Sequence, residues 1–583
     1  MNRLFALLVV TASAVAENPL RPTCSSRIFC HSELLHRVQL ARLYNDSKTF
    51  VDLHLRFSED KILNDFDDFL ANVDNPTKEQ LKFFVDEHFD STSELEDWTP
   101  PDYSTDPQFL QRIRDEKLKK FGRDIHNIWP ILGRKVKSTV FENPERFSLI
   151  PVDNGFIIPG GRFREIYYWD TYWIIKGLLI SGMEDTARGM IENLIELLQI
   201  IGHVPNGSRW YYQERSQPPL LSAMMELYLE KTSDIKFLEQ HIDSLEKELY
   251  YWLDTQVTSV EFEGYSYNLL RYNVPSAGPR PESYYEDYKA SQIFITEEHQ
   301  QEFYNDIKSA AESGWDFSSR WYVDSNGENT GNLTSIHTRN RIPVDLNAIF
   351  ANALTNMAAF RKLVPGRSRH PALYWSRLAK KWQMAIEKVF WNEEDGIWYD
   401  YEIISQTHRK YFYPSNVSPL WMKVINDKLV KIRSARVLNY LEKSQGLDFP
   451  GGIPTSLVQS GEQWDFPNAW PPLVSIVVGA LDATKSGKSS KMAFQLAETW
   501  VRACYKGFTK SKQMFEKYDV EVPGQYGGGG EYVVQSGFGW SNGVILEFLD
   551  KYGGLLTYEN ESMLNCSLEW LIGSVQNILG CVS

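Results

Sequence analysis

The sequence has few cysteines and no spaced cluster of metal-binding side chains. It contains five Cys and 11 His in 583 residues, without a C-x-x-C or H-E-x-x-H motif. Zinc sites usually need such spacings, so we expect no bound metal. The four consecutive glycines at 527–530 are not followed by Gly-Lys-Ser/Thr, which argues against a phosphate-binding loop.

Positive charge is also in short supply. The chain has 61 Lys and Arg against 76 Asp and Glu, a formal net charge of −15. Nucleic acid binding needs a basic surface, so we expect no nucleic acid partner. With 43% hydrophobic and 23% charged residues, the composition is that of a folded globular protein.

Long hydrophobic runs and linkers are missing. The length alone would allow about four domains, but no Pro-, Ser- or Gly-rich segment separates them, so one large unit over residues 17–555 is expected. Residues 1–16 combine Arg3, an apolar run at 4–10 and the small-residue pattern Ala14-Val15-Ala16, which is typical of a secretory signal peptide. A membrane anchor would need about 20 apolar residues.

The remaining features at the two ends agree with secretion. Cys24 and Cys30 are expected to form a small disulfide loop, and Cys504 lies in an apolar helical pattern. The other two are Cys566 and Cys581. Because the total of five is odd, at least one thiol must stay free or pair between chains. Five sequons fit a glycoprotein: Asn45, Asn332, Asn416, Asn560 and Asn565. The tail at 556–583 is a weak match to a lipid-anchor signal, so soluble secretion is favoured and membrane association would need such an anchor.

Helical periodicity dominates the chain. About ten stripes with apolar residues three and four positions apart predict helices, and the clearest runs from Asp234 to Leu253. Short turns alternate with long connections at 202–217, 254–343, 445–470 and 505–540. This pattern favours a mainly α fold in which helical hairpins close a ring and the long loops gather at one end. Strand signals are few, but residues 396–403 alternate and predict a hairpin.

Aromatic residues are abundant, with 18 Trp, 30 Tyr and 31 Phe. A large aromatic core accounts for most of them, but many lie beside charged residues and amides in Gly- and Pro-containing segments. Sugars stack their C–H faces on aromatic rings and bond their hydroxyls to carboxylates, amides and Arg. The composition therefore points to a sugar-binding site.

Two segments place a Trp-Asp pair just before or at the start of a predicted helix. One is PGGRFREIYYWDTY at 159–172, with Arg162, Trp169 and Asp170, and the other is QWDFPNAWPP at 463–472. Asp170 can also be read as a simple helix cap. Between and after them lie VPNGSRWYYQERSQPP, GPRPESYYED, AESGWDFSSRW, MFEKYDV and GGGGEY. The glycine run indicates a backbone that passes close to a ligand or flexes over it.

These segments, in this order, resemble the trehalase family of glycoside hydrolases, which split α,α-trehalose into two glucose molecules. The resemblance extends from about Cys24 to Tyr552, with a minor departure at Ala469, where many relatives have Gly. It implies an all-α (α/α)6 barrel and hydrolysis with inversion of configuration. Such hydrolysis needs a carboxylic acid and a carboxylate roughly 6.5 to 9.5 Å apart.

By motif position, the resemblance assigns the general acid to Asp316 and the general base to Glu516. Asp316 stands between Trp315 and Phe317, apolar neighbours of the kind that raise a carboxyl pKa. Without the family, Glu516 would read as a solvated carboxylate on a helix. The resemblance further implies sugar contacts from Arg162, Trp169, Asp170, Asn206, Arg215, Arg280, Glu282, Gly314 and Glu531.

Asn206 also begins a sequon, Asn206-Gly207-Ser208, and a glycan there would occupy the implied site. We therefore expect it to be unglycosylated. The family implies no metal or organic cofactor, and the sequence leaves the oligomeric state open. Two other readings stay open: another inverting α-glucosidase on the same barrel, and a secreted sugar-binding protein without activity, which the two intact carboxylates disfavour.

Overall fold

The computed structural model describes residues 20–366, 369–532 and 535–558. The predicted signal peptide at 1–16 lies outside the described residues. So do residues 559–583 of the predicted tail, with Asn560, Asn565, Cys566 and Cys581.

The N-terminal part is helical and packs around a hydrophobic cluster of its own, which includes Leu34, Phe50, Phe66 and Phe84. Cys24 and Cys30 form the predicted disulfide, and Cys504 is buried as a free thiol. The helices of this part are α1 (Glu33–Leu40), α2 (Lys48–Val51), α3 (Glu59–Asn72) and α4 (Lys78–His88). The helices that follow, α5 (Glu116–His126), α6 (Trp129–Leu132) and α7 (Ser138–Glu142), pack into the main core.

Within the described residues, twelve helices form two concentric rings, the (α/α)6 barrel that the family resemblance implied. The inner ring is α8 (Tyr168–Ile180), α10 (Leu221–Thr232), α14 (Val344–Leu363), α16 (Ser418–Trp421), α18 (Pro471–Ala483) and α20 (Gly539–Tyr552). Each inner helix contacts the next, and α20 returns to α8. The outer ring is α5, α9 (Glu184–Ile201), α11 (Ile235–Thr255), α15 (Ala372–Val389), α17 (Asp427–Lys443) and α19 (Gly487–Ser511).

The two rings differ in how their apolar residues are arranged. On the outer helix α11 one stripe is buried, including Leu238, Ile242 and Leu249, and the Asp234 side chain caps the helix by accepting from Phe237 N at 3.0 Å. The inner helix α8 is buried on nearly every face. A helix that is apolar all round lies inside other helices, so the sequences of α8 and α11 agree with their places in the inner and outer ring.

The long connection at 254–343 carries more structure than the sequence predicted. It contains a β-hairpin (Val257–Phe262 with Tyr265–Leu270), α12 (Tyr284–Ser291) and α13 (Glu297–Ser313). Sequence periodicity misses α13 because much of its buried surface is polar: Asn305, Lys308 and Glu312 are all buried.

The other strands of the described residues are short and pair antiparallel. They are His54–Leu55 with Phe89–Asp90, Leu95–Asp97 with Gly133–Val136 and Phe156–Ile157, Arg341–Ile342 with Tyr401–Glu402 and Thr407–His408, Trp391–Asn392 with Ile397–Trp398, and Asn468–Ala469 with Tyr518–Asp519. The single hairpin predicted at 396–403 is wrong, because Ile397–Trp398 and Tyr401–Glu402 belong to different sheets. No helix in the described part of the chain is long and apolar enough to cross a membrane.

Candidate active site

One cavity at one end of the barrel is lined by every residue that the sequence assigned to the site. The inner helices α8 and α20 begin here, Trp470 immediately precedes α18, and the long loops converge on the same end. The predicted site residues on its wall are Arg162, Trp169, Asp170, Asn206, Arg215, Arg280, Glu282, Gly314, Asp316, Glu516 and Glu531.

Asp170 lies in the first turn of α8 but does not cap it. The N-cap position is held by Tyr167, and Asp170 is the third helical residue. Its side chain is buried and lines the cavity. Burial, followed by the nearby Glu516 carboxylate, raises the pKa of Asp170 well above its usual range. The helix-cap reading of this residue is therefore wrong.

Asp316 enters the cavity through a sharp turn after α13. Gly314 ends that helix with φ +80°, and a Cβ at this position would come within 2.8 Å of the Trp169 ring. The neighbours Trp315 and Phe317 are each 1% exposed, as the sequence suggested. Burial raises the pKa of Asp316 to about 6, although Arg280 acts in the opposite direction. A proton is therefore held on this carboxyl at mildly acidic pH.

Glu516 lies in the loop between α19 and the strand Tyr518–Asp519 and is 1% exposed. The reading as a solvated helix carboxylate is therefore wrong. Its Oε1 accepts a hydrogen bond from Tyr532 Oη at 2.8 Å, and its Oε2 lies 3.4 Å from Gln535 N. Burial raises the pKa of Glu516, whereas Lys517 and the Tyr532 hydrogen bond act to lower it.

Arg215 joins two of the other predicted residues. Its guanidinium forms a buried ion pair with Glu282 and donates from Nε to Asn206 Oδ1 at 3.3 Å. Burial would raise the pKa of Glu282, but Arg215 and Arg280 outweigh it and hold the pKa below its usual range. Asn206 is 6% exposed and is itself part of the cavity wall.

Arg280 is fixed by Asp287 and reaches Glu531. Its Nε and Nη2 donate to the two Asp287 oxygens at 2.9 and 2.6 Å, and Nη2 also lies 2.9 Å from Glu531 Oε1. Ser283 Oγ donates to Glu531 Oε2 at 3.0 Å. Burial raises the pKa of Glu531 to about 7 against the pull of Arg280. These contacts hold the loop that carries Glu531 over the cavity.

Arg162 is held by a residue from the N-terminal part of the chain. Its Nε and Nη2 each donate to an Asp46 oxygen at 2.7 Å. Its guanidinium also lies 4.7 Å from the Tyr532 ring centroid. The N-terminal helices and the barrel therefore build this corner of the cavity together.

A stack of tryptophans forms one wall. Trp464 and Trp470 are parallel with ring centroids 3.8 Å apart, and Trp464 stacks on Trp315 at 5.5 Å. Trp464, Trp470, Trp169 and Trp540 all line the cavity. Flat aromatic surface beside carboxylates and Arg forks is what a sugar ring requires.

In the second Trp-Asp pair, Trp464 lines the cavity, whereas Asp465 supports the neighbouring segments. Asp465 accepts from Ser319 N at 2.6 Å and from the Ser318 and Ser456 hydroxyls at 3.1 and 2.6 Å, so it anchors the turn that follows Asp316. It does not line the cavity. Ala469 lies in the strand opposite Tyr518 and does not line the cavity, so its methyl group does not narrow the cavity.

Three of the four glycines at 527–530 pack closely against protein. A Cβ at Gly527 would lie 2.4 Å from Asn468 Oδ1, and a Cβ at Gly530 would lie 2.8 Å from Gln463 Oε1. At Gly529 it would meet the Gly461 carbonyl at 2.5 Å. The glycines thus let the loop lie directly on the segment that carries Trp464.

Sequence reasoning missed several residues of the site. Tyr532 and Asp46 contact predicted residues directly, and Gln217 lines the cavity while accepting from Trp169 N at 3.0 Å. Tyr532 follows Glu531 in the GGGGEY segment, and this position is its only signal in the sequence. Asp46 carries none, because it lies 116 positions from Arg162.

Comparisons with known proteins agree with this geometry. The family model described as Trehalase matches residues 42–553. A protein described as trehalase from Bombyx mori is 57% identical over 95% of this chain and 96% of its own length. The human protein described as trehalase is 44% identical over 95% and 94%. The solved neutral trehalase of Saccharomyces cerevisiae shares the fold, with a TM-score of 0.54 at 23% identity over 69% of this chain and 75% of that one. The chain belongs to the trehalase family.

Proposed function

We propose that the protein hydrolyses α,α-trehalose to two glucose molecules with inversion at the attacked carbon. The observation that carries this proposal is the pairing of Asp316 and Glu516 in one cavity walled by tryptophan and arginine. Family membership supports trehalose as the substrate.

In this mechanism Asp316 protonates the glycosidic oxygen as the bond to C1 breaks. Its raised pKa supports this role, because the carboxyl must still hold its proton when substrate binds. Glu516 accepts a proton from a water molecule that attacks C1 from the opposite face. Lys517 and the Tyr532 hydroxyl favour the carboxylate form of Glu516, which the base requires.

The other nine residues are proposed to hold the two glucose units. Arg162, Arg215 and Arg280 present fixed guanidinium forks to sugar hydroxyls and offset the charge of the carboxylates. Trp169 offers a ring face, and Gly314 leaves room for that ring. The remaining polar contacts come from Asp170, Asn206, Glu282 and Glu531.

We also propose that the protein is secreted and that residues 17–555 act as one catalytic unit. The Cys24–Cys30 disulfide and the exposed sequons Asn45 and Asn332 support an oxidising, glycosylating compartment. Asn416 is 1% exposed and donates its amide to Tyr411 O at 2.9 Å, so we expect no glycan there.

Product analysis tests the proposed reaction. Trehalose should be consumed far faster than maltose or sucrose, since another α-glucosidase on this barrel would prefer one of the latter. Proton NMR of the first product should show one β-glucose and one α-glucose. Two α-glucose molecules would exclude inversion, and no hydrolysis at all would favour a sugar-binding protein without activity.

The two carboxyl groups should give kcat/KM a bell-shaped dependence on pH. Activity needs ionised Glu516, so it should rise with pH on the acid side; it needs protonated Asp316, so it should fall above a pKa of about 6. Initial rates at low trehalose concentration between pH 4 and pH 8, on the order of one point per half unit, check this profile. A rate that stays flat above pH 7 would contradict the assignment of the acid.

A further inference from the structure

Lys517, the residue after the proposed base, has a buried ammonium group that joins three segments of the site. Its side chain is fully buried. Nζ donates to Gln463 Oε1 at 2.7 Å and lies 3.4 Å from the Gly529 carbonyl oxygen. It also lies 5.0 Å from the Trp470 ring centroid. Burying a charged ammonium group costs free energy unless the charge is paired and hydrogen-bonded.

Gln463 continues the connection to the proposed acid. Its amide nitrogen donates to the backbone carbonyl of Asp316. A Cβ at Gly530 would collide with the same Gln463 amide, so the glycine run is shaped to fit around this side chain. Lys517 and Gln463 therefore form a polar bridge from the segment of the base to the turn of the acid.

We propose that Lys517 is a positioning residue for the hydrolysis, and this rests on the proposed function. Its positive charge keeps Glu516 ionised, and its bond to Gln463 fixes the Asp316 turn relative to the base. Inversion depends on that spacing, because a water molecule must fit between the base and the sugar.

The charged groups around Glu516 show why the Lys517 cation matters for its ionisation. The groups facing this carboxylate are Arg162, Lys517, Tyr532, Asp170 and Asp316. Arg162 is already engaged by both oxygens of Asp46. Among the described residues that face Glu516, Lys517 is thus the cation whose charge is not offset by a paired carboxylate.

Replacing Lys517 by methionine tests the electrostatic part. Without the cation the pKa of Glu516 rises, so the acid limb of kcat/KM should move to higher pH by about one unit. Lys517 is also attracted by Asp316, so the alkaline limb should follow by less. Lys517→Arg keeps the charge and should leave the acid limb in place. An acid limb that does not move in a folded Lys517→Met enzyme overturns the proposal.

Gln463→Leu tests the bridge separately, and also serves if Lys517→Met does not fold. It leaves the cation and breaks the link to Asp316, so kcat should fall about tenfold or more while the acid limb and KM change little. An unchanged kcat would overturn the positioning role.

Lys48→Met is the control, since Lys48 is also a buried lysine but lies outside the cavity and is paired with Asp52 and Glu165. It should lower the melting temperature without shifting the acid limb; an equal shift there would mean that loss of any buried lysine has this effect, which overturns the proposal. Asp316→Asn and Glu516→Gln are measured in parallel. If they remain active, the proposed function fails; if they are inactive and the Lys517→Met profile is unshifted, only the role of Lys517 fails.

Discussion

Glu516→Gln is expected to lower kcat on trehalose by about 10³-fold, within the range that general base catalysis contributes. The amide has nearly the shape of the carboxylate and keeps an oxygen for the Tyr532 hydroxyl, which donates at 2.8 Å. It cannot take a proton from water. Burial already disfavours the charged form of Glu516, so the variant with a neutral glutamine should have a similar melting temperature.

Azide distinguishes a lost base from a damaged site. In Glu516→Gly the anion can enter the space of the missing carboxylate and attack C1 without losing a proton, so β-glucosyl azide should form and turnover should recover in part. Glu521→Gln is the matched control, because Glu521 is exposed five residues further along the chain, and it should keep full activity. Formation of α-glucosyl azide would contradict the assignment of Glu516 as base of an inverting enzyme.

The helical rings were largely predictable because their signal is local. Apolar stripes repeat within one helix and indicate which face is buried, as in Leu238, Ile242, Leu245 and Leu249. The outer helix α5 and the short inner helix α16 were not predicted. Only four residues of α16 are helical, so periodicity has too little length to act on. The closure of the ring, from α20 back to α8, is a contact between distant segments that no local pattern contains.

The site was predictable only as far as its motifs were continuous in sequence. The two Trp-Asp pairs look alike, yet Asp170 faces the cavity whereas Asp465 is enclosed by serine donors. The difference lies in what surrounds each carboxylate in space. The same holds for Asp46 and Gln463, whose partners Arg162 and Lys517 are 116 and 54 positions away. Residue type shows what a side chain can bond to, and the fold decides its partner.

Asp316→Asn is also expected to lower kcat on trehalose by about 10³-fold, because the leaving glucose then departs as an alkoxide. The defect should depend on the leaving group. Fluoride leaves without being protonated, so α-glucosyl fluoride should be hydrolysed by Asp316→Asn at a rate close to that of the unmodified enzyme.

The comparison with the base variant makes this test specific. Hydrolysis of α-glucosyl fluoride still needs an activated water molecule, so Glu516→Gln should remain slow on it while Asp316→Asn recovers. The reverse pattern would exchange the two roles, and equal defects on both substrates would mean that Asp316 acts in binding instead. The structure favours the first outcome, since Asp316 is held in an apolar turn by Trp315, Phe317 and the Asp465 anchor, where a proton is retained. Glu516 lies next to the Lys517 cation, which favours the ionised form that a base needs.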